Sequence, residues 1–433
     1  MEANLKRLLP LLALCAAASP AIFTRTAFGQ SAGVPDGRQA LVGQGNGGGH
    51  FSVDYSFKGS RAKDGAVPTA TLIQDAASNL YGTTSSGGGF GCGGSGCGVV
   101  FKLDATNHET VLHAFAGPDG ATPHGALVMD SAGNLYGTTS AGGSGSACPG
   151  GCGTVFKIDT TGSETVLHNF TGNPDGANPY AGLAMDDSGN LYGTTESGGA
   201  SNLGTIFQID RNGAEAVLHS FAGRPSDGAD PKAGLTLDLN GNLYGTTFSG
   251  GSAGFGIAYQ LDTTNSESVL YNFTGGADGG NPIGGLTRDS DGTLYGTTTT
   301  GGSSSGKGVL GGGHFGDIHY GCCKGTVYKL SRDGENILYT FKGNNDGGTP
   351  ASTLVLSNGV LYGTTLIGGP GHNGTAFRVT IANGSESVLH GFKGGKDGAS
   401  PGAGLLRNSA GVLYGTTEGG GHLQKGTVFQ YKP

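Results

Sequence analysis

Tryptophan is absent from this sequence of 433 residues. It is the side chain most favoured at binding hot spots and as a platform for sugar rings, so tyrosine and phenylalanine have to serve there. No apolar run after residue 29 reaches the length of about 20 residues that crosses a bilayer, which excludes a transmembrane helix in that part of the chain. Neither an H-E-x-x-H motif nor a P-loop occurs, so the sequence has no signature of these catalytic classes.

Acidic residues outnumber basic residues by 32 to 24, which gives a net charge of -8 at pH 7. A negative surface repels phosphate backbones, so nucleic acid is not an expected partner. Glycine is abundant, with 90 residues, but it has no three-residue period, which excludes a collagen triple helix. Short, regularly spaced apolar runs argue against disorder. The composition is typical of short strands joined by many turns.

The first 29 residues have the features of an export signal. Lys6 and Arg7 precede an apolar stretch that ends in small residues suited to a cleavage site. We therefore predict a signal peptide at 1–29, a flexible segment at 30–50 and a folded domain at 51–433. The protein is expected to be exported to the extracellular space, the periplasm or the cell surface.

The motif LYGTT defines an internal repeat. Its seven copies begin at Leu80, Leu135, Leu191, Leu243, Leu294, Leu361 and Leu413. The unit from Ala181 to Phe221 contains four strand-like runs, GLAMD, NLYGTT, GTIFQID and EAVLHSF, separated by turns rich in Asp, Asn and Gly. Units of about fifty residues with four strands are typical of β-propeller blades. We predict an all-β fold, a seven-bladed β-propeller with four strands per blade.

The two ends of the chain predict how this propeller closes. The segment from Phe51 to Phe57 matches the pattern of a fourth strand, whereas the last unit stops after a third strand, GTVFQYKP. The early segment is therefore expected to complete the seventh blade, which closes the ring and removes exposed strand edges.

We interpret most of the repeated side chains as packing units. In LYGTT, Leu and Tyr alternate across the pleat, Gly permits a close approach and the two Thr residues favour a strand. A recurrent aromatic position in the fourth strand is interpreted in the same way; its occupants are His113, His168, His219, Tyr271, Tyr339, His390 and Tyr55. The Asp of a repeated Asp-Gly connection is interpreted as a turn former, with cation binding as the alternative. These residues are Asp64, Asp119, Asp175, Asp227, Asp278, Asp346 and Asp397.

The pattern GLAMDDSGNLYGTTESGG, followed by GTIFQID and EAVLHSF, resembles the GloVer tandem-repeat family of exported bacterial proteins. The resemblance extends from Phe51 to Gln430. It implies a secreted or surface-anchored propeller, and it provides no catalytic residues to carry over.

Insertions between the units fall in the connection from the second to the third strand. From LYGTT to the Gly before the third strand, the distance is 13 residues in four units, 18 in the first two and 31 in the fifth. In a propeller this connection emerges on the same face as the connection between blades. Because binding residues concentrate in variable loops, we predict that this face has the function.

Cysteines follow the long connections, and in an oxidising compartment they are expected to form disulfides. The predicted pairs are Cys92 with Cys97 and Cys148 with Cys152. Pairing across the two loops and a four-cysteine zinc site are the alternatives. The adjacent Cys322 and Cys323 form a vicinal disulfide or remain thiols.

The connection in the fifth unit, with its two neighbours, supplies a set of irregular polar residues. The binding candidates are His314, Asp317, His319, Tyr320, His372 and His422. Because imidazole, carboxylate and thiolate are ligands of zinc and copper, a metal site at His314, His319, Cys322 and Cys323 is one hypothesis. A solvated loop without a metal is the other, and no further cofactor is predicted.

Three functions remain open on the sequence. The leading hypothesis is a propeller without enzymatic activity that binds an extracellular glycan, peptide or protein through the variable face. Its aromatic candidates are Tyr180, Phe248, Phe255, Phe315 and Tyr320. The second is a lyase or hydrolase acting on polysaccharide, with Glu196 and Glu418 as carboxylates beside the histidines. The third is a structural component of the cell envelope.

Overall fold

The computed structural model describes residues 43–44, 48–302 and 324–433. All of them belong to one compact unit, Ala40–Pro433. The predicted signal peptide lies outside the described residues. So does most of the irregular connection of the fifth unit, with His314, Phe315, Asp317, His319, Tyr320, Cys322 and Cys323.

Seven antiparallel sheets of at least four strands follow one another along the chain, which confirms the predicted seven-bladed propeller. The first strands are Ile73–Gln74, Val128–Met129, Ala184–Met185, Thr236–Leu237, Thr287–Arg288, Val355–Ser357 and Leu406–Arg407. The second strands are Leu80–Thr84, Leu135–Thr139, Leu191–Thr195, Leu243–Thr247, Leu294–Thr298, Val360–Thr365 and Leu413–Thr417. The third strands are Val99–Leu103, Thr154–Ile158, Thr205–Ile209, Ile257–Leu261, Thr326–Ser331, Thr375–Thr380 and Thr427–Lys432. The fourth strands of blades 1 to 6 are Glu109–Ala114, Glu164–Asn169, Glu215–Ser220, Glu267–Asn272, Gly334–Thr340 and Ser385–Gly391.

The fourth strand of blade 7 comes from the start of the folded region, as the sequence predicts. His50–Ser56 pairs antiparallel with Thr427–Lys432, and Phe51 lies opposite Tyr431. A further short strand, Gly43–Gln44, adds to the outer edge of this blade. Because the two ends of the chain share one sheet, the propeller is a closed ring.

Short elements complete the description. Two two-residue ladders join the entry of a blade to its second–third connection, Gly65–Ala66 with Ser86–Gly87 and Gly228–Ala229 with Ser249–Gly250. The helical turns are the 3-10 segments Ser60–Ala62, Cys92–Gly94 and Gly395–Asp397. No helix among the described residues is long and apolar enough to cross a membrane.

The Leu and Tyr of each LYGTT motif enter two different cores between blades. Leu80 packs with Phe101 in the core that blade 1 shares with blade 7, whereas Tyr81 packs against the core shared with blade 2. The Tyr81 hydroxyl also donates to Asp75 Oδ2, at 3.0 Å, in the turn before the strand. Four more blades repeat this bond, through Tyr136, Tyr192, Tyr244 and Tyr295. These contacts support the interpretation of the motif tyrosines as structural.

The Gly of LYGTT is needed because a third-strand ring lies over it. A Cβ at Gly82 would be 2.8 Å from the Phe101 ring, and a Cβ at Gly245 would be 2.4 Å from the Tyr259 hydroxyl oxygen. Both distances are shorter than a van der Waals contact. A side chain at this position would therefore displace the ring of the third strand that packs over it.

The first Thr of LYGTT links each blade to the next. Thr138 Oγ1 donates to the carbonyl of Ala181 at 2.8 Å, and Thr364 Oγ1 donates to the carbonyl of Ala403 at 2.8 Å. The same bond occurs at all seven boundaries, from Thr83, Thr138, Thr194, Thr246, Thr297, Thr364 and Thr416. The bond from Thr416 to Ala70 joins blade 7 to blade 1 and continues the series around the ring.

The recurrent Asp and the fourth-strand ring side chain bind each other in every blade. His113 Nε2 lies 2.9 Å from Asp119 Oδ2, and the Tyr339 hydroxyl donates to Asp346 Oδ2 at 2.8 Å. The remaining pairs are Tyr55 with Asp64, His168 with Asp175, His219 with Asp227, Tyr271 with Asp278 and His390 with Asp397. Each Asp therefore has a partner within its own blade, which supports a structural role.

Two disulfides close the long connections of blades 1 and 2. Cys92 bonds Cys97, and Cys148 bonds Cys152, which confirms the predicted pairing within each loop. The pairing across loops and the four-cysteine zinc site are therefore excluded for these four residues.

The first strands are shorter than the sequence predicts. GLAMD suggests five residues, but only Ala184–Met185 form ladder bonds in blade 3. The residues before them lie where neighbouring blades converge: a Cβ at Gly182 would be 2.6 Å from the Ala126 carbonyl oxygen. These residues line the centre of the ring and do not extend the sheet.

Candidate functional site

A cavity of about 210 Å³ lies at the centre of the ring and is lined by all seven blades. Each blade contributes the segment that leads into its first strand, such as Thr69 to Thr71 in blade 1 and Gly402 to Gly404 in blade 7. Most of these residues are Gly, Ala, Ser or Thr, because seven backbones converge there. A pocket of this size is smaller than the roughly 300 Å³ typical of sites for drug-sized ligands.

Two positions of the repeat vary strongly, and both lie at one end of this cavity. The first is the residue after the Pro that precedes each first strand: Thr69, His124, Tyr180, Lys232, Ile283, Ala351 and Gly402. The second is the residue after LYGTT: Ser85, Ser140, Glu196, Phe248, Thr299, Leu366 and Glu418. In an antiparallel sheet, the first strand begins at the end where the second strand stops. We call this end, with these two sets of residues, the channel mouth.

The channel mouth lies on the face that has the long connections, because these connections also begin where the second strands end. The predicted functional face and the cavity therefore share one end of the propeller. A scaffold role favours the same or a similar residue in each blade, as in LYGTT or in the His and Tyr of the fourth strands. Variation of seven equivalent positions from Lys to Gly is instead typical of a site that contacts something asymmetric.

Blades 1 to 3 place a polar and aromatic row along one side of the channel mouth. Thr69 Oγ1 and His124 Nδ1 are 3.3 Å apart, within hydrogen-bonding distance. The rings of His124 and Tyr180 are stacked, with centroids 4.3 Å apart and an interplanar angle of 18°. These contacts fix the orientation of both rings before any ligand arrives.

Blades 3 and 4 add an ion pair beside this row. Lys232 Nζ is 3.1 Å from Glu196 Oε1, and it lies 4.6 Å from the centroid of the Phe248 ring. The Lys232 side chain is only 15% exposed, so the pair is partly shielded from water. The ammonium is therefore held by a carboxylate and an aromatic face at once.

Blade 7 contributes a carboxyl group with a different environment. Glu418 lines the cavity next to Gly402, where a Cβ would lie 2.4 Å from Glu418 Oε1. Burial raises the pKa of Glu418 to about 7, well above its ordinary value of 4.5. This group therefore changes charge near neutral pH, as a general acid, a general base or a binding carboxylate does.

Carboxylates from two blades affect the pKa of the Tyr180 hydroxyl. Burial raises the pKa of its hydroxyl, and the charges of Glu418 and Glu196 raise it further. Tyr180 and Glu196 belong to blade 3 and Glu418 to blade 7, so these charges act on the hydroxyl from two separate blades. Burial and these two charges favour the protonated phenol, which can donate a hydrogen bond.

The structure brings together part of the set that the sequence suggests. Tyr180, Phe248, Glu196 and Glu418 meet at the channel mouth. Phe255 lies in the second–third connection of blade 4, packs against Gly275 in the connection to blade 5, and is not among the cavity-lining residues. The two described histidines among the binding candidates, His372 and His422, are exposed in second–third connections and are not among the cavity-lining residues.

Sequence reasoning missed three residues of the site: Thr69, His124 and Lys232. The sequence contains a signal for these residues. When the seven segments that follow the Pro are aligned, their first position has a different residue in every unit. The insertions in the second–third connections are the stronger sequence signal, but none of their described residues lines the cavity.

One group of side chains has the spacing of metal ligands. His113, Asp119 and Glu164 each offer an atom within 4.8 Å of the others, and no further such group occurs in the described part of the chain. The equivalent position in blades 4 and 5 is Tyr271 or Tyr339, which makes the same bond to its Asp. Since tyrosine replaces histidine without loss of that bond, the arrangement fits an interblade contact better than a metal centre.

These observations define a class of protein: a closed seven-bladed propeller with a small, asymmetric polar pocket at one end of its axis. The chain belongs to the Gloeobacter/Verrucomicrobia repeat family, whose model matches residues 31–147, 93–311 and 312–433. This confirms the family resemblance drawn from the repeat. Among curated proteins, no match to the chain was found.

Solved structures share the fold at low sequence identity. An oligogalacturonate lyase from Vibrio parahaemolyticus is 10% identical, with a TM-score of 0.53 over 91% of this chain and 96% of that chain. An oligogalacturonate lyase in complex with manganese gives a TM-score of 0.51 at 10% identity, with the same coverage. A gluconolactonase from Xanthomonas campestris is 12% identical, with a TM-score of 0.42 over 90% of this chain and 91% of that chain. At these identities the likeness shows the fold alone.

Proposed function

We propose that this protein is an exported binding propeller that recognises an extracellular glycan at the channel mouth. The single observation that supports this most is the concentration of variable side chains around one small cavity of an otherwise regular ring. Hydroxyl, carboxyl, ammonium and aromatic groups converge there from Thr69, Glu418, Lys232 and Tyr180. Sugar units present hydroxyl groups and apolar ring faces that match such a set.

Export is supported by the two disulfides. Bonds such as Cys92 to Cys97 form and persist in oxidising compartments. We expect the protein in the extracellular or periplasmic fraction of cells that express it. Its retention in the cytosolic fraction with reduced cysteines would contradict this part of the proposal.

A glycan is favoured over a protein partner. A protein interface normally has a contiguous apolar centre with aromatic anchors. Among the described residues, the exposed large apolar side chains are Phe90, Leu239, Leu270 and Leu423, and they are distributed over blades 1, 4 and 7. The small cavity suits one sugar unit, while the long connections are placed to contact the rest of a chain.

Glycan-array binding with matched variants tests the proposal. We expect the purified protein to bind a restricted set of glycans. Tyr180→Phe should weaken binding several-fold, since a neutral hydrogen bond is worth about 0.5–1.5 kcal/mol, and Lys232→Met should weaken it about tenfold or more, since a hydrogen bond to a charged group is worth about 1.5–3 kcal/mol. Asp187→Asn is the control, because Asp187 is exposed in the turn at the opposite face. Binding that survives both channel-mouth variants would place the site elsewhere. A peptide or protein as the only ligand would reject the glycan assignment.

An enzyme acting on polysaccharide is the second candidate, and the Glu418 carboxyl favours it. A group that titrates near pH 7 beside a phenol and an ammonium is suited to proton transfer. Incubation with a polysaccharide panel, followed by assays for reducing ends and unsaturated products, tests this candidate. Turnover that Glu418→Gln abolishes would support an enzyme. Intact substrates throughout, with binding retained, would leave the binding function alone.

A further inference from the structure

We propose that the sugar unit held at the channel mouth has a free amino group, and that Glu418 binds its ammonium. This inference rests on the proposed glycan-binding function and names the ligand class of the same pocket. It follows from the charges at the channel mouth and from which of them already have partners.

Among the described residues at the two variable positions of the channel mouth, Lys232 has the one cationic side chain. This side chain already has partners within the protein. Its ammonium pairs with Glu196 at 3.1 Å and lies over the Phe248 ring. An acidic ligand would have to compete with Glu196 for this lysine. Lys232 is therefore poorly placed to select a carboxylate or a sulfate.

The channel mouth has a second acidic residue, Glu418. It has no cationic partner among the described ion pairs. Burial raises the pKa of Glu418, and no cation in the described part of the chain lowers it. The desolvation of a carboxylate is relieved most effectively by an ammonium that approaches through charge-assisted hydrogen bonds. A ligand with an amino group supplies this missing partner.

The residues on the side of the cavity next to Glu418 supply no cation for its carboxyl group. Glu418 lies beside Gly402, where a Cβ would be 2.4 Å from Glu418 Oε1, and the equivalent residues of blades 5 and 6 are Ile283 and Ala351. These three residues offer neither a positive charge nor a donor side chain. The Glu418 carboxyl therefore lines the cavity without a donor side chain from these positions of blades 5 to 7.

The two carboxylates that act on Tyr180 also favour a positive ligand group over a negative one. Glu418 and Glu196 both raise the pKa of its hydroxyl, so a negative ligand group would be repelled there. An amino sugar therefore fits the channel mouth better than a sugar acid does.

Calorimetric titration of the full chain with three β- or α-linked tetrasaccharides tests the inference: the glucosamine tetramer, cellotetraose and the galacturonate tetramer. The first two share the β-1,4 linkage and differ by an ammonium in place of the 2-hydroxyl group on each sugar unit. We expect the glucosamine tetramer to bind about tenfold more tightly than cellotetraose, as one added ion pair of about 1.4 kcal/mol gives. The galacturonate tetramer is expected to bind most weakly.

The variant Glu418→Gln keeps the size of the side chain and removes its charge. It should bring the glucosamine tetramer to within about twofold of cellotetraose, while Asp187→Asn keeps the full difference. The Asp187 control separates the pocket from general attraction to a chain whose net charge is -8. Melting curves of both variants establish that they are folded.

Two outcomes would overturn the inference. Cellotetraose or the galacturonate tetramer binding as tightly as the glucosamine tetramer would reject the amino sugar, while glycan binding at the channel mouth would stand. Absence of binding to all three would reject it as well. In that case the glycan array decides separately on the proposed function, since a different glycan hit that depends on Tyr180 would keep that function.

Discussion

At the scale of single residues, the first Thr of LYGTT forms a hydrogen bond between neighbouring blades. Thr364 Oγ1 donates to the buried Ala403 carbonyl at 2.8 Å, and both residues are buried. Thr364→Val keeps the shape but leaves that carbonyl without its partner, which should lower the free energy of unfolding by about 1–3 kcal/mol. Thr364→Ser keeps the hydroxyl and should cost less. Chemical denaturation measures both, and a valine variant as stable as the wild type would contradict the assignment.

Two tyrosines in the third strands are expected to behave in the opposite way, because removal of their hydroxyl group should stabilise the protein. The hydroxyl groups of Tyr259 and Tyr328 are buried without a hydrogen-bond partner among the described residues. The other five blades have phenylalanine at this position, namely Phe101, Phe156, Phe207, Phe377 and Phe429. Tyr259→Phe removes an unsatisfied polar atom, so we expect it to raise the free energy of unfolding by about 1 kcal/mol.

Tyr192→Phe is the matched control for that substitution. The Tyr192 hydroxyl donates to Asp186 Oδ2 at 3.1 Å, so its removal should destabilise the protein. Opposite signs for the two variants in thermal unfolding are the predicted result. A loss of stability in Tyr259→Phe would indicate that its hydroxyl has a partner.

At the scale of elements, each fourth strand in blades 1 to 6 faces the preceding blade with an acidic residue. One carboxyl oxygen of each is buried without a hydrogen-bond partner in the described part of the chain: Glu109, Glu164, Glu215, Glu267, Glu335 and Glu386. Burial, followed by the charge of Asp175, raises the pKa of Glu215 to about 7 from its ordinary 4.5. In blade 7 the same position is Phe51, which stacks on His390 at 3.6 Å.

Because of these carboxyl groups, we expect the free energy of unfolding to fall as the pH rises. A raised pKa means that the folded state binds the proton more tightly, so the contribution is complete below about pH 4.5 and is lost as the pH rises through about 7. We expect a higher melting temperature at pH 5.5 than at pH 8. Glu215→Gln should stabilise the protein at pH 8 by about 1 kcal/mol, after a discount for solvent screening, and should change little at pH 5.

Asp187→Asn is the control for this pH dependence, because Asp187 is exposed and lies away from the blade boundaries. It should leave the difference between pH 5.5 and pH 8 as it is in the wild type. A melting temperature that is higher at pH 8 than at pH 5.5 would show that other groups dominate the interblade electrostatics.

At the scale of the whole molecule, closure depends on one strand from the start of the folded region. His50–Ser56 covers the edge of Thr427–Lys432, with Phe51 buried opposite Tyr431. Removal of residues 1–56 should expose this edge and cause aggregation or loss of cooperative unfolding. Removal of residues 1–47 keeps the strand and should preserve a soluble, cooperatively folding ring. Equal behaviour of the two truncations in light scattering and calorimetry would contradict the role of this strand.

The fold could be predicted from the sequence because the information is repeated seven times. LYGTT marks each second strand, and the unpaired third strand at the end indicates the closing strand at the start. The disulfides follow in the same way, since Cys92 and Cys97 lie within one short connection. Local patterns of this kind need no knowledge of distant contacts.

The candidate site could be predicted only in part, because it is assembled across the ring. Tyr180 and Glu418 are far apart in the sequence, and only the closed ring places both at one cavity. His124 and Lys232 occur in segments that read as ordinary connections. Their importance follows from comparing equivalent positions once the blades are defined.

Binding at the channel mouth is tested most directly by a crystal structure of the protein soaked with a glycan that it binds on the array. We expect electron density for one sugar unit at the channel mouth, within hydrogen-bonding distance of Glu418 and the Tyr180 hydroxyl. Density found only on the opposite face, or only in the outer connections near His372 and His422, would contradict it.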